Sequence, residues 1–593
     1  MKPTRTFDLL DRYMLLFPDK KDVLAAKKDG SWVYHSTKDY NTMAHHFAYG
    51  LLQMGFEKGD KIITITNNRP EWNFVDMGMS MIGVIHVPVF TSMSCDEYKY
   101  IFEHSEAKMV IISDKRHFMN IKPVCDSVST VKHVCTFDKV ENAAHWTSIV
   151  LEGEKAGDKI IAETERIKSE IKEGEFASLI YTSGTTGQAK GVMLSHKNLV
   201  SNFLAAAEVF KLNKDDKFLS ILPLCHVGGR MGNYQTQYSG ASIYYAESMG
   251  TIAANLKEIK ATGFDAVPRI LEKIYDNVIA KGKCLKGIKK RIFFWAVDLG
   301  LKYEPFGQKS WLYYRKLKLA DSLIFSKWRE ALGGNARIVG CGGASLQTRH
   351  ERIFWAAGLK ILNMYGLTET SPIITINRQD PPLCRLGSVG ALIDGVEVRI
   401  ADDGEVLCRG DNLMMGYYKD RDLTEKTIDS EGWFHTGDIG HIEDGVFLKI
   451  TDRKKDIFKL SNGKFIAPQI LENRLKESPF IDQVMVTGEH QKFASALLVP
   501  NFSYLKNWCQ SKSMSFNQSN DELICIAEVQ DIFSREIENI NNTLADSEKI
   551  FRYRLVADDW SPHSGELSPS MKLKRQVIEK KYSDLINRIY RRN

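Results

Sequence analysis

Short, almost wholly apolar runs alternate with amphipathic stretches over the first 170 residues of the chain. Lys61–Ile65, Ile85–Val89 and Met109–Ile112 predict buried strands, and Asp39–Leu52 predicts a helix. Met77–Phe90 is apolar but short and broken by glycine, so a buried strand or helix is expected there rather than a membrane span. Ala177–Ile180 predicts a further strand. Strand and helix in alternation give the βα rhythm of a mixed or parallel sheet, hence an α/β fold. The chain carries neither an internal repeat nor a low-complexity tract.

The pattern changes at Asp452. A lysine-rich stretch, Asp452-Arg-Lys-Lys-Asp-Ile-Phe-Lys459, leads into a smaller region with its own apolar strands, Gln483–Val486 and Ala494–Val499. A charged, glycine-containing connector between two packed units is a natural hinge. The expected division is an N-terminal domain over 1–451 and a C-terminal domain over 452–593.

Composition narrows the function classes. At 593 residues, 43% hydrophobic and 26% charged, the chain has ample material for a large core and is not expected to be disordered. A net charge of +6 fits an anionic partner such as a nucleotide, coenzyme A (CoA) or an acidic membrane surface, without choosing among them. A nucleic-acid binder would carry a denser basic patch and a recognition motif, and none is seen. Ten cysteines with no C-x-x-C pair read as reduced thiols in a cytoplasmic protein. No signal peptide is apparent, and no stretch reaches ~20 uninterrupted apolar residues. Basic charge concentrates in residues 281–329, with thirteen Lys or Arg against Asp298, Glu304 and Asp321, and with aromatics interleaved from Phe293 to Trp328. This insertion is either an amphipathic helical hairpin with a solvated basic face or a surface that docks on anionic lipid.

Four motifs carry chemistry. Tyr181-Thr-Ser-Gly-Thr-Thr-Gly-Gln-Ala-Lys-Gly191 follows the strand at Ala177–Ile180. Ser183, Thr185 and Thr186 supply hydroxyls. Gly184, Gly187 and Gly191 let the backbone turn and expose N–H groups, and Lys190 adds a point charge. Together they make a cradle for polyphosphate, although the Walker A spacing is not met. In Asn363-Met-Tyr-Gly-Leu-Thr-Glu-Thr-Ser-Pro372, the Glu369 carboxylate lies between the hydroxyls of Thr368 and Thr370. That set suits Mg²⁺ and phosphate, while Tyr365 offers a flat face to a base; a helix cap is the plainer alternative. In Glu431-Gly-Trp-Phe-His-Thr-Gly-Asp-Ile-Gly440, Asp438 sits in a glycine-flanked turn suited to accept two ribose hydroxyl bonds. The fourth motif is the Asp452–Lys459 hinge.

In this order the four motifs resemble the adenylate-forming superfamily of acyl-CoA synthetases, luciferases and peptide-synthetase adenylation domains, over roughly residues 30–580. Leu222-Pro-Leu-Cys-His226, Gly342-Gly-Ala-Ser345 and Gly404-Glu-Val-Leu-Cys-Arg-Gly410 fit the same pattern. The run from Gly432 to Pro468, Val267-Pro-Arg-Ile-Leu-Glu-Lys273 and the insertion after it resemble the long-chain fatty acyl-CoA synthetase branch.

The resemblance implies a large N-terminal domain of mixed and parallel sheets flanked by helices, with a small mobile α+β lid. It implies ATP, Mg²⁺, CoA and a fatty acid as reactants. Thr182, Ser183, Gly184, Thr185, Thr186, Gly187 and Lys190 would lie along the pyrophosphate; Thr368 would contact a phosphate and Glu369 would hold Mg²⁺. Gly343, Ala344, Tyr365 and Gly366 would frame adenine, Asp438 would bind ribose with Arg453 in support, and His226 would lie by the acyl carboxylate. Lys455 would be the pivot. A catalytic lysine is implied in Leu567-Ser-Pro-Ser-Met-Lys-Leu-Lys-Arg575, where Met571 stands in place of the usual glycine. Lys572 is chosen because Arg575 then follows three residues on, a spacing the family often shows; Lys574 is the competitor. Some long-chain enzymes have a tryptophan gate four residues after the His226 position, where this chain has Arg230. An acyl-adenylate former that loads a carrier protein, a nucleotide- or lipid-binding relic, and a luciferase-like oxidase are the rivals. A homodimer and peripheral contact with the inner face of a membrane are left open.

Overall fold

The computed structural model describes residues 1–182, 188–307, 309–512, 514, 519–546, 548–561, 563–568 and 571–591. The chain divides into two compact units. One comprises Met1–Val398, Leu407–His435 and Ile442–Leu448; the other comprises Arg399–Val406, Thr436–His441 and Lys449–Asn593.

The larger unit is built on two sheets. One has eight strands in the order Gly416–Tyr417, Lys190–Ser195, Phe176–Thr182, Ile85–Val89, Lys61–Ile65, Met109–Ile112, His133–Thr136 and Ala144–His145. The three strands expected from the apolar runs lie side by side in it and pair in parallel. The predicted helix runs over Thr37–Gln53 and starts at a capping box, in which Ser36 and Asp39 satisfy each other's backbone N–H groups. The apolar stretch Met77–Phe90 contains both expected elements: the end of the helix Pro70–Met81, a turn at Gly83 in left-handed backbone, and the strand Ile85–Val89.

The second sheet has nine strands. Their order is Ala391–Leu392, Ile373–Ile376, Lys360–Gly366, Ile338–Cys341, Gly263–Ala266, Lys217–Ser220, Ser242–Tyr245, Leu24–Lys28 and Ser31–His35. Alternate side chains leave each sheet on opposite faces. Ile62 and Phe218 enter one shared core with Ile338, whereas Ile63 and Ile65 pack into a second core and Leu219 and Val339 into a third. Two sheets thus bury both faces, which explains why their strands read as continuous apolar runs.

The basic insertion forms the helices Gly287–Gly300 and Trp311–Ala320, a π-helical turn at Asp321–Phe325 and the helix Ser326–Ala331. Phe293, Phe325 and Trp328 are buried against the core behind the nine-stranded sheet. Tyr313 donates its hydroxyl hydrogen to the Leu299 carbonyl at 3.0 Å, which ties the two longer helices into a hairpin.

The smaller unit is α+β. Ile481–Thr487 pairs antiparallel with Ala494–Pro500, which pairs in parallel with Ile550–Leu555. Helices including Pro468–Leu475 and Ala527–Asn541 cover this sheet, and Val484, Leu497, Leu505, Phe533 and Ile578 fill the core between.

A charged network is sealed inside the larger unit. Arg230 lies on the helix Val227–Tyr238 and is 2% exposed. Its guanidinium pairs with Asp76 at 2.5 Å, bonds the Tyr234 hydroxyl at 2.8 Å and reaches the Ser178 hydroxyl. Asp76 also accepts from His86 at 2.6 Å and from Tyr234 at 2.5 Å. Burial pushes the Asp76 carboxyl up, but Arg230, His86 and Tyr234 outweigh it and hold the group below the usual carboxylate range. Arg230, at the position where some long-chain enzymes have a tryptophan gate, is therefore committed to the core. Arg230→Met should lower unfolding stability by about 3–5 kcal/mol, because it strands the Asp76 charge. Asp76→Asn added to that variant should restore most of the loss. Urea unfolding of both variants checks this: a double variant no more stable than the single one would show that the stranded charge is not the cause.

Candidate active site

The predicted site residues of the larger unit gather at the carboxyl ends of strands. Phe176–Thr182 and Lys190–Ser195 form an antiparallel pair in which Thr182 lies opposite Lys190, so the phosphate-loop motif joins two strands rather than a strand and a helix. Ser183, Gly184, Thr185, Thr186 and Gly187 lie outside the described residues. In the nine-stranded sheet, four neighbouring parallel strands end in motifs. Lys217–Ser220 leads to His226, Gly263–Ala266 to Val267, Ile338–Cys341 to Gly342-Gly-Ala-Ser345, and Lys360–Gly366 to Glu369. The outer rim of the carboxyl ends is where open parallel sheets bind ligands.

Backbone requirements account for the glycines here. A side chain at Gly366 would begin 1.7 Å from the Pro372 carbonyl, so the chain can pass only with hydrogen at that position. Gly343 adopts φ of 85°, a left-handed conformation that favours glycine, and Gly343 and Ala344 are exposed at the strand end. Cys341 pairs with Asn363, so the turn at Gly343 and Ala344 leaves the sheet next to the strand that carries Tyr365 and Gly366.

Glu369 sits in a one-turn helix, Thr368–Thr370. Asn202 and Asn412 each donate to the carbonyls of Thr370 and Ile373, and these bonds pin the turn. The two threonines flanking Glu369 differ in setting. Thr370 is fully buried and donates its hydroxyl hydrogen to the Pro372 carbonyl at 2.6 Å, so it holds the turn together rather than offering itself to phosphate. Thr368 is half-buried. In this respect the plainer alternative, a cap, holds for Thr370.

Tyr417 joins the first two motifs, and the sequence reading did not single it out. It belongs to the two-residue strand Gly416–Tyr417, paired with Lys190–Ser195. Its hydroxyl donates to the Glu369 carboxylate at 2.8 Å, and the Lys190 ammonium lies 5.3 Å from the centroid of its ring. Burial and the neighbouring Glu369 charge push the phenol well up, so it stays a neutral donor. Nothing in the spacing of Gly416–Tyr417, 48 positions from Glu369, signals this contact. Among the described residues no three His, Cys, Asp or Glu side chains gather as a metal cage. A cation at Glu369 would therefore draw further ligands from phosphate and water, which fits Mg²⁺.

His226 caps the helix Val227–Tyr238. Its Nδ1 accepts from the Gly228 N–H at 3.1 Å, which leaves the proton on Nε2. Asn68 holds the preceding loop, donating to the Leu222 carbonyl at 2.7 Å and accepting from the Leu224 N–H at 2.9 Å.

The remaining predicted residues lie in the smaller unit. Asp438 is 4% exposed and pairs with Arg453 at 3.1 Å, so the expected ribose ligand and its support are in contact. The turn before it is fixed by Glu405, which accepts from the Gly437 N–H at 2.9 Å and from Lys454 at 2.8 Å. Lys455 follows the strand Phe447–Arg453. Further on, Leu567 and Leu573 form a β-bridge with Lys572 between them, and the Ser568 N–H donates to the Lys572 carbonyl at 2.8 Å. Met571 has φ of 64°, which is the physical reason a glycine suits that position. Lys572 is exposed, whereas Lys574 stands at the start of the helix Arg575–Lys581 with its N–H bonded to the Glu566 carbonyl at 2.8 Å. Arg575 anchors this segment by donating from Nη2 to both carboxylate oxygens of Glu472, at 2.7 and 2.8 Å.

The chain resembles known proteins over nearly its whole length. The AMP-binding enzyme family matches residues 13–418, and the AMP-binding enzyme C-terminal domain matches 455–593. Long-chain-fatty-acid–CoA ligase FadD15 of Mycobacterium bovis is 30% identical over 568 residues, covering 95% of this chain and 93% of that protein. Long-chain-fatty-acid–CoA ligase ACSBG2 of Xenopus laevis is 29% identical, covering 96% and 81%. Among solved structures, ATP-bound MatB from Rhodopseudomonas palustris shares the fold with a TM-score of 0.72 at 20% identity, over 98% of this chain and 99% of its own. The anthranilate CoA ligase AuaEII, in complex with anthranoyl-AMP, gives 0.72 at 17% identity over 97% of both. By its motifs, its fold and these matches, the chain belongs to the AMP-binding enzyme family.

Proposed function

We propose that this enzyme activates a long-chain fatty acid as its acyl-adenylate and transfers the acyl group to CoA. The observation that carries this assignment is the Lys190–Tyr417–Glu369 array at the carboxyl ends of the two sheets. The relatives named as long-chain-fatty-acid–CoA ligases support the substrate and the acceptor, since they match over nearly the whole chain.

The chemistry follows from the poor reactivity of a carboxylate. A fatty carboxylate oxygen attacks the α-phosphorus of ATP; the new P–O bond forms as the bond to the β-phosphate oxygen breaks and pyrophosphate leaves. CoA, as its thiolate, then attacks the acyl carbon, and AMP leaves with the oxygen it shares with the acyl group. The first step brings two anions together, so pre-aimed positive charge and positioning must offset their repulsion. Lys190, with Thr182 and the hydroxyls of Ser183, Thr185 and Thr186, would line the pyrophosphate. Glu369 would hold Mg²⁺, which supplies screening of phosphate charge when bound. His226 would donate its Nε2–H to the acyl carboxylate. Gly343, Ala344 and Tyr365 would bound the adenine, and Asp438, braced by Arg453, would take the ribose. Lys572 would approach the α-phosphate for the first step, and rotation of the C-terminal domain about Lys455 would withdraw it to admit the thiol. The long acyl chain suits an apolar tunnel, because each buried methylene contributes ~0.8 kcal/mol.

Three expected outcomes test these roles. Lys572→Ala should slow adenylate formation about 10²–10³-fold while sparing thioester formation from supplied acyl-adenylate; equal loss in the two half-reactions, measured separately, removes that role. Lys455→Pro fixes the backbone at the pivot and should impair thioesterification more than adenylation. Single-turnover kinetics that are normal in both steps would reject the hinge. Tyr417→Phe should raise the Mg²⁺ concentration for half-maximal pyrophosphate exchange by about 10–100-fold, as loss of a group that orients a metal ligand does, with little change in the KM for fatty acid. An unchanged Mg²⁺ titration would show that Tyr417 does not position Glu369.

A further inference from the structure

The hairpin within residues 281–329 carries an outer face that the ligase chemistry does not use. Seven of the chain's exposed large hydrophobic side chains fall between Ile288 and Leu323. Trp311 is 66% exposed, Ile288 73%, and Leu312 and Leu319 53% each. Their spacing is helical. Tyr313, Leu317, Ala320 and Ile324 recur at intervals of four, three and four and turn towards the core. Leu312, Leu319 and Leu323 form a separate exposed stripe, with Arg315, Lys316 and Lys318 between and beside them, all exposed. The Arg315 guanidinium stacks over Trp311 at 4.0 Å. At the start of the neighbouring helix, the run Lys286-Gly-Ile-Lys-Lys-Arg291 is exposed at every position.

Charge is concentrated on the same elements. Residues 281–329 hold thirteen Lys or Arg against three acids, while the rest of the chain is slightly acidic. A soluble surface has reason to avoid large apolar side chains, and a surface that binds only soluble anions has no use for Trp311 or Leu312. Apolar side chains that can sink among acyl chains, framed by Lys and Arg that meet anionic headgroups, are the composition of a helix lying in a membrane interface. No described helix is long and apolar enough to cross a bilayer, so attachment by this face would be peripheral.

We infer that the outer face of this hairpin docks the enzyme on an anionic lipid bilayer, with Trp311, Leu312 and Leu319 inserted and Lys289, Lys290 and Arg291 on the headgroups. Docking there would place the enzyme on the phase in which a long-chain fatty acid concentrates, since the acid is itself an amphiphile. The inference does not require the assignment of catalytic roles above.

The test uses the full chain and vesicle flotation, with phosphatidylcholine alone and with phosphatidylcholine plus phosphatidylglycerol. The native protein should float with the anionic vesicles, and less so as salt screens the charge. Lys289→Gln, Lys290→Gln and Arg291→Gln together should weaken partition on the order of 100-fold, at about fivefold per charge. Trp311→Ala with Leu319→Ser should also weaken it, with an unchanged thermal unfolding midpoint because both residues face outward. Vesicles with brominated acyl chains should quench the native protein more than Trp311→Phe. Native protein that stays with the aqueous phase would overturn the proposal, as would variants that partition like native or quenching equal in the Trp311→Phe protein. Retention by an acidic protein surface without vesicle binding would also overturn it, because the face would then serve a protein partner.

Discussion

The hydrogen bond from Tyr417 to Glu369 is the tie on which the candidate site of the larger unit depends. Glu369 follows a strand of the nine-stranded sheet, and Tyr417 forms the edge of the eight-stranded one. The same phenol lies against Lys190, beside the phosphate-loop motif. One neutral donor thus fixes a carboxylate and neighbours a cation, and it does so from a strand of only two residues. Such a group costs nothing to reorganise when charge develops, which is the property that makes aimed dipoles effective in catalysis. Its support is structural: Asn202 and Asn412 lock the Glu369 turn by its carbonyls, and Thr370 contributes its hydroxyl to the same purpose.

A second constraint lies deeper. The helix that begins at His226 must present its cap to the site and still bury Arg230 one turn later. An unpaired guanidinium there would be prohibitive, and Asp76, Tyr234 and Ser178 answer it from three other directions. Pairing fixes the rotation of the helix about its axis, and with it the direction of His226. A side chain without such a partner at this position would have more freedom to swing. Here the charge pair removes that freedom.

The enzyme's two chemistries, polar and lipidic, are kept on different elements. The residues proposed to handle phosphate stand on strand ends and on short turns pinned by asparagines. The acyl substrate is amphiphilic, and the helical insertion behind the nine-stranded sheet carries the matching combination of apolar and cationic groups. That insertion can afford exposed hydrophobic residues because its inner face, with Phe293, Phe325 and Trp328, already supplies its packing.

The sequence by itself determined a good deal. The apolar runs at Lys61–Ile65, Ile85–Val89 and Met109–Ile112 are strands because a run of that length with both faces apolar can be satisfied only inside a covered sheet. The glycines of the motifs were legible because backbone limits are local: Gly343 needs its left-handed angle, and Gly366 has no room for a side chain. The pairing of Asp438 with Arg453 came from the family resemblance, and the structure brings the two side chains within 3.1 Å. What the tertiary structure alone decided were the contacts between distant segments. Thr370 looks in sequence like a phosphate ligand and is turned to a backbone carbonyl instead. Tyr417 carries no signal in the sequence and meets Glu369, and Arg230, which stands where some long-chain enzymes have a tryptophan gate, is locked to Asp76. Hydrogen bonds and ion pairs are short-ranged and directional, so their partners are set by how sheets stack and helices rotate, and no spacing along the chain records that.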